Sequence, residues 1–200
     1  ATLKVSSSKE VFEGDSKKIG GIDVKLHDAQ EINLVLSAII STGDATKIIL
    51  NNDNTRKEVT VKGVSYTIGL IAVSDTATTL KITDKNGKSE TGEIMEKSAK
   101  EVNGLLITVL DSDEENLKLT TKIVAGDAFI LTDKSPVKEI KSGEEIYNLE
   151  LISSSNSAAT IKISQSKEIF EGTTKTVAGL PIQMVEADED NLKLTTTIFV

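Results

Sequence analysis

The sequence predicts an all-β protein made of tandem small β-sandwich or barrel-like modules built from repeated half-units, with no significant helix. Three observations predict this class. The chain has no Trp and only 3% aromatic residues, so Ile, Leu and Val must form its cores. These apolar residues recur at every second position, which is typical of strands with one buried face. The same alternating pattern is also repeated along the 200 residues, which indicates several small modules rather than one large core.

One half-unit of the repeat occurs three times. Residues 1–42 align without a gap with residues 159–200 at an offset of 158, and residues 94–119 align with residues 11–36 at an offset of 83. All three copies contain the pattern K-x-[IV]-x-G-[IL]-x-[IV], which starts at Lys17, Lys100 and Lys175. A fixed repeat of this kind is the signature of a modular architecture.

A second half-unit, marked by a tyrosine, occurs twice. Residues 57–82 match residues 138–163 at an offset of 81, and each copy runs directly into a Gly-containing half-unit. One complete module therefore consists of a Tyr-containing half followed by a Gly-containing half. The predicted domains are an incomplete N-terminal module (1–55), a complete module (56–135) and a module without its tail strand (136–200).

The predicted turns lie between the alternating segments. Gly21, Gly104 and Gly179 precede a strand at matching positions, which favours a turn with positive φ. The segment 88–102 has moderate helix propensity, but its aligned copies carry Gly and β-branched residues, so we predict a strand and a turn there. Alternation resumes after the acidic segments with six leucines that should continue the core face: Leu34, Leu36, Leu117, Leu119, Leu192 and Leu194.

Acidic clusters that precede the repeated phrase NLKLTT are the candidate metal site. Carboxylates alternate in both clusters, so three of them could converge on a hard cation such as Ca²⁺. The candidate ligands are Asp111, Asp113, Glu115, Glu186, Asp188 and Asp190. The EF-hand spacing is not met, and the first copy of the segment has fewer acids. The alternative is a solvated hairpin tip in which Asn33, Asn116 and Asn191 supply the turn.

Other residues give little support to catalysis. His27 is the only histidine, and its counterparts in the repeat are Leu110 and Val185, so we expect a half-exposed residue at a strand end. Tyr66 and Tyr147 share the phase of neighbouring apolar residues, which indicates a position at the edge of a core. Because the copies preserve folding features and vary their charged segments, we predict that the protein is not an enzyme and has no resident cofactor, with Ca²⁺ the one candidate ion.

Composition excludes several partners and sites. A net charge of −8 and a pI of 4.8 disfavour nucleic acid, because no basic stripe is present to meet phosphates. The absence of Cys excludes disulfides, thiolate metal sites and thiol catalysis. No apolar run approaches the length of a membrane span. No small-molecule substrate is implied by any motif.

The combined pattern resembles the tandem β-modules of archaeal surface-layer and related cell-surface filament proteins. Positions that match in the Tyr-containing half are Tyr147, Leu149, Leu151, Ile152, Ala159, Ile161 and Ile163. Positions that match in the Gly-containing half are Lys175, Val177, Gly179, Leu180 and Ile182. The resemblance covers nearly the whole chain.

This resemblance implies an extracellular, cell-surface structural protein that polymerises head to tail with itself into a lattice or a filament. The orphan half-unit at residues 1–42 suggests a mechanism, because an incomplete β-module exposes an unpaired edge that another chain can pair with. We therefore expect residues 1–6 of one subunit to complete a module of its neighbour. The alternative is an adhesin or ligand-binding array that stays monomeric.

Overall fold

The computed structural model is all-β, as predicted. It describes residues 1–190 and 193–200, and the side chains of residues 188–195 lie outside that description. The described residues form seventeen strands: β1 Thr2–Phe12, β2 Ser16–Ile19, β3 Ile22–Ile32, β4 Val35–Asn51, β5 Arg56–Val61, β6 Val64–Ser74, β7 Ala77–Asp84, β8 Ser89–Met95, β9 Ala99–Val102, β10 Leu105–Glu115, β11 Lys118–Thr132, β12 Val137–Ser142, β13 Glu145–Ser154, β14 Ala158–Glu168, β15 Thr174–Val177, β16 Leu180–Asp190 and β17 Lys193–Phe199. The prediction of a strand and a turn in residues 88–102 is confirmed by β8 and β9.

The strands form four antiparallel sheets. Their orders are β1-β14-β13-β12, β2-β3-β4-β11-β10-β9, β15-β16-β17 and β5-β6-β7-β8. The predicted boundaries at residues 55 and 135 fall between strands. One large core combines strands from either side of residue 55, and the other combines strands from either side of both boundaries.

Two-residue turns with positive φ connect many of the hairpins. The prediction for Gly21, Gly104 and Gly179 is confirmed by φ values of 85°, 77° and 82°. Asn33 and Asn116 adopt φ values of 52° and 51° at the first turn position, as expected for a turn that requires left-handed backbone. Asn191, Leu192 and the side chain of Leu194 lie outside the described residues.

Two of the repeated leucines are turn residues rather than core residues. Leu34 and Leu117 take the second turn position with φ values of 66° and 63°, and their side chains are 85% and 81% exposed. The prediction that they continue the core face is therefore wrong. The turn interrupts the alternation, which starts again only in the following strand.

The first complete sandwich, which we call module A, packs the sheet of β5–β8 against β9, β10 and the adjacent parts of β11 and β4. Its core consists of Ile48, Leu50, Val59, Val61, Ile68, Leu80, Ile82, Ile94, Val102, Leu105, Ile107, Val109, Ile123 and Ala125. Tyr66 packs against this core and is partly buried, as expected for a residue at the core edge.

The second sandwich, module B, packs the sheet of β1 and β12–β14 against β2, β3 and the other parts of β4 and β11. Its core consists of Val11, Ile19, Ile22, Val24, Leu26, Ala29, Ala38, Ile40, Leu131, Ile140, Leu149, Leu151, Ala159, Ile161 and Ile163. Tyr147 packs against it at the position equivalent to Tyr66.

Modules A and B share the two longest strands. β4 and β11 pair over residues 37–51 and 120–132, so one end of the pair faces the core of module A and the other end faces that of module B. The register shifts between Gly126 and Ala128, where the pair passes from one module to the other. A β-bulge bends a strand and increases its twist, which allows one continuous sheet to serve two sandwiches.

The N-terminal strand closes module B within its own chain. β1 pairs with β14 along its whole length, from Thr2 opposite Glu168 to Phe12 opposite Ala158. This pairing within the chain differs from the expectation that residues 1–6 complete a module of a neighbouring subunit. At an offset of 83, residues 6–12 are equivalent to β8, so β1 takes the place in module B that β8 takes in module A.

A difference in segment length explains why module B uses β1 where module A uses β8. Eleven residues separate the equivalent positions Ile82 and Ile94 in module A, whereas five separate Ile163 and Ile169. The longer segment contains the turn at Asp84–Lys88, where Asn86 and Lys88 donate backbone hydrogen bonds to Asp84 Oδ1 at 2.8 and 3.0 Å. β7 can therefore reverse into β8. β14 has no such turn and runs straight on.

The extended ends of β1 and β14 lead into a third unit, unit C, which contains β15–β17. Ile169, Val177, Ile182 and Met184 form its small core, and Leu3, Val5 and Ala187 pack against them. Its turn at Gly179 contacts the equivalent turn of module B so closely that a Cβ on Gly179 would lie 3.3 Å from Gly21 Cα. Unit C has the Gly-containing half of a module and no Tyr-containing hairpin among the described residues.

Candidate functional site

The acidic residues proposed as metal ligands lie on strands rather than on a loop. Asp111, Asp113 and Glu115 belong to β10, and Glu186 belongs to β16. Asp111 Oδ2 accepts a bond of 2.8 Å from Lys122 Nζ, while Asp113, Glu115 and Glu186 are exposed. The side chains of Asp188 and Asp190 lie outside the description. Within the described residues, no three His, Cys, Asp or Glu side chains are grouped as a metal ion requires.

A Ca²⁺ titration tests the metal prediction. If three carboxylates converge when the ion binds, the melting temperature should rise with Ca²⁺ concentration, because binding to the native state adds to its stability. The variant Asp113→Asn/Glu115→Gln should reduce the rise, while Glu144→Gln, an exposed substitution at the turn between β12 and β13, should retain it. An unchanged melting temperature in millimolar Ca²⁺ would leave these carboxylates as solvated surface groups.

Charged side chains are concentrated at the joint between modules A and B. Acidic and basic groups line a groove of about 400 Å³ there. Its four carboxylates and three ammonium groups belong to Glu13, Asp28, Glu96, Asp111, Lys47, Lys97 and Lys122. The carboxylates form equivalent pairs at an offset of 83, Glu13 with Glu96 and Asp28 with Asp111, so the groove brings together matching positions of both modules.

One ion pair of this groove links the two modules, and a second lies within the β10–β11 hairpin. Lys97, between β8 and β9 of module A, binds Asp28 of module B with an Nζ–Oδ2 distance of 3.0 Å. Burial raises the pKa of Glu96, with Lys97 opposing and the Asp111 and Asp28 carboxylates reinforcing the rise. The hydrogen bond to Asp111 is the main reason that the pKa of Lys122 is raised. The charges largely neutralise one another, which suits an ionic joint better than an acid–base pair.

His27 is buried, so the expectation of a half-exposed strand end is wrong. Its side chain is 1% exposed, and Nε2 lies 2.8 Å from Ser41 Oγ. The register of β3 and β4 shifts between Leu26 and Asp28, which places His27 at a β-bulge. Burial, reinforced by Lys25 and Lys47, lowers its pKa to about 4. The structure therefore places the ring in the protein interior, where burial favours its neutral form and Ser41 is its hydrogen-bond partner.

Three buried hydroxyls in module A form a hydrogen-bond network that was not predicted from the sequence. Thr78 Oγ1 lies 2.7 Å from Ser112 Oγ and donates to Thr121 Oγ1 at 2.8 Å, and Thr121 donates to the Asp111 carbonyl at 3.0 Å. The equivalent residues of module B are three buried alanines: Ala159, Ala29 and Ala38. This replacement of alanine by a hydroxyl residue at three aligned positions is visible in the sequence and could have identified the network. Since alanines take all three positions in module B, we assign the hydrogen-bond network a packing role.

Replacing Thr78 by valine should destabilise the protein by about 2 kcal/mol, because it leaves the buried Ser112 hydroxyl without an acceptor. The double variant Thr78→Val/Ser112→Ala should be more stable than the single variant, since it removes that unpaired group as well. Urea unfolding measures both changes. Equal or larger destabilisation of the double variant would show that Ser112 has another role.

The lysine shared by the three repeats has a structural function. Lys17, Lys100 and Lys175 donate to the backbone carbonyls of Glu10, Glu93 and Glu168 at 2.7, 3.3 and 2.9 Å. Two of them also lie over a phenylalanine ring, at 5.5 Å from the centroid of Phe12 and 5.6 Å from that of Phe170. In every copy the motif lysine thus bonds its own strand to the backbone of the preceding strand.

No protein-family model matches the chain, and none of the curated proteins matches it either. Among the described residues, no helix is long and apolar enough to cross a membrane.

Proposed function

We propose that the protein is a structural component of an extracellular assembly, a surface lattice or a cell-surface filament, whose copies join head to tail through their β-modules. In this proposal the protein performs no chemistry. The repeated parts of the chain support it, because the shared lysines and turn residues serve the fold. Two carboxylates of the charged groove, Asp28 and Asp111, are also paired with lysines.

One observation carries the proposal: modules within this chain are joined by strands that pass from one sandwich into the next. β4 and β11 connect module A with module B, and β1 and β14 connect module B with unit C. Edge-to-edge pairing is also the simplest way for separate β-proteins to associate. A head-to-tail contact of this kind continues into a filament or lattice instead of closing as a dimer.

Electron microscopy of the purified chain over a range of concentrations tests this function. The proposal expects ordered fibres or sheets that dissolve on dilution. Dispersed monomers at every concentration would contradict it and would leave the adhesin or ligand-binding array as the better account. Size-exclusion chromatography of the same samples provides the control for irregular aggregates.

A further inference from the structure

Unit C exposes positions that both complete modules bury. Leu180 is 45% exposed, although its equivalents Ile22 and Leu105 are buried. Ile198 is 37% exposed, although its equivalents Ile40 and Ile123 are fully buried. Unit C therefore has the apolar sheet face of a module, including Leu180 and Ile198, without the layer of strands that covers this face in modules A and B.

The covering layer in the complete modules is the hairpin with the tyrosine. In module B, β12 and β13 cover this face with Ile140, Leu149 and Leu151, while Tyr147 packs at the edge. In module A, β5 and β6 do the same with Val59, Val61 and Ile68, beside Tyr66. We call these two hairpins the Tyr-type hairpins.

The edge of β1 beside unit C is equivalent to an edge that a Tyr-type hairpin occupies. At an offset of 158, Leu3 and Val5 correspond to Ile161 and Ile163 of β14. In module B these two residues pair with Leu151 and Leu149 of β13. β1 is the outermost strand of its sheet in the described part of the chain, so its residues 2–6 present the same edge uncovered.

The repeat also shows which exposed features are not part of this surface. Residues 7–12 of β1 are equivalent to β8, which is an outermost strand in the complete module A. Phe170 is exposed, and so are its equivalents Phe12 and Met95. Exposure at these places is normal for a finished module, whereas exposure of Leu180 and Ile198 is not.

We propose that unit C is the binding site for a third Tyr-type hairpin, carried by a neighbouring chain of the assembly. The hairpin adds to β1 as β13 adds to β14, with its two inward leucines opposite Leu3 and Val5 and over Leu180 and Ile198. Both such hairpins among residues 1–200 are docked in modules A and B. Since the proposed assembly joins β-modules of different chains, we assign the third hairpin to a neighbouring chain built from the same kind of module. This inference deepens the proposed function and rests on it.

A hairpin peptide tests the site directly. Residues 136–155 as a synthetic peptide should bind the 200-residue protein with 1:1 stoichiometry in calorimetry. Hydrogen exchange should slow on the order of tenfold at residues 2–6 and remain unchanged at residues 7–12 and in β8, because paired amides exchange only on local opening. Leu180→Lys should abolish binding, while Phe170→Lys should preserve it. Absence of saturable binding, or equal protection along all of β1, would count against the site.

A fused variant removes the dependence on peptide folding, since an isolated two-stranded hairpin is marginal in water. Residues 136–158 fused directly before Ala1 stand where the same hairpin stands before Ala159 in module B. The fusion should raise the midpoint of unfolding of unit C, and Leu149→Asp/Leu151→Asp in the fused copy alone should cancel the gain. An unchanged midpoint would overturn the inference. Because this readout uses single chains and polymer formation is read by microscopy, either proposal can fail without the other.

Discussion

Replacing Gly126 by alanine is expected to lower the free energy of unfolding by about 4 kcal/mol, from a left-handed backbone and a steric clash together. Gly126 has a φ of +116° and lies where β11 crosses between the modules. A Cβ at this residue would be 2.3 Å from the Asp44 carbonyl oxygen and 2.9 Å from Ala45 Cα. Both contacts are with backbone, so no side-chain rotation relieves them. Urea unfolding gives the change in free energy.

Gly63 is the matched control for this substitution. It also has a positive φ, +75°, but a Cβ there meets nothing within 4 Å. Gly63→Ala should therefore cost only about 1 kcal/mol, the strain of the left-handed conformation alone. Equal costs at the two glycines would show that the bulge between modules A and B rearranges easily and does not fix their junction.

The second large effect is an acid-dependent loss of stability caused by His27. Its pKa is about 4 in the folded protein, against an ordinary value of 6.5. Between these values the unfolded chain binds the proton and the folded protein does not, so stability falls as the pH is lowered from about 6.5 to about 4. Above about pH 6.5 the stabilisation that depends on neutral His27 is fully present. The full loss amounts to about 3 kcal/mol.

The chain itself contains the control for this prediction. The residues equivalent to His27 and Ser41 are the buried Leu110 and Val124. The double variant His27→Leu/Ser41→Val should retain about 3 kcal/mol more of its neutral-pH stability at about pH 4 than the wild type does. Chemical unfolding at a series of pH values measures this difference. Parallel curves for both proteins would mean that carboxylates alone determine the acid sensitivity.

Local chemistry of the sequence predicts the strands and the turns. Alternation of Ile, Leu and Val identifies the all-β class, and Gly and Asn mark turns that the structure shows with positive φ. The same alternation wrongly places Leu34 and Leu117 in the core, because a two-residue turn leaves the period of two unbroken in the sequence. The prediction for His27 fails for a related reason. A β-bulge shifts the register, and nothing in the local sequence shows it.

Long-range connections cannot be predicted by aligning the half-units alone. The pairing of β1 with β14 depends on whether the strand after the Tyr-type hairpin turns back or runs straight. The longer segment after Ile82 than after Ile163 distinguishes the two cases in the sequence. Which strand then fills the empty place becomes clear only in the three-dimensional structure. The charged groove could not be predicted by alignment either, because Asp28 and Lys97 are far apart in sequence and meet only when modules A and B pack together.

Strand contacts in this protein are of two kinds. Contacts of β1 with β14 and of β4 with β11 hold modules together within one chain. Contacts at the open face of unit C, in our proposal, join different chains. The distinction matters because an N-terminal strand that is already paired in its own chain is not free to be donated to a neighbour.

Engineered cysteines at Ser6 and Ser164 test this central claim most directly. The two serines face each other in the β1–β14 ladder, at a separation that a disulfide can span, and the natural chain has no other cysteine. Oxidation of Ser6→Cys/Ser164→Cys at concentrations that give fibres or sheets should yield a single internally cross-linked chain on a denaturing, non-reducing gel. A ladder of disulfide-linked oligomers from the same assemblies would show that β1 is donated between subunits and would contradict the account.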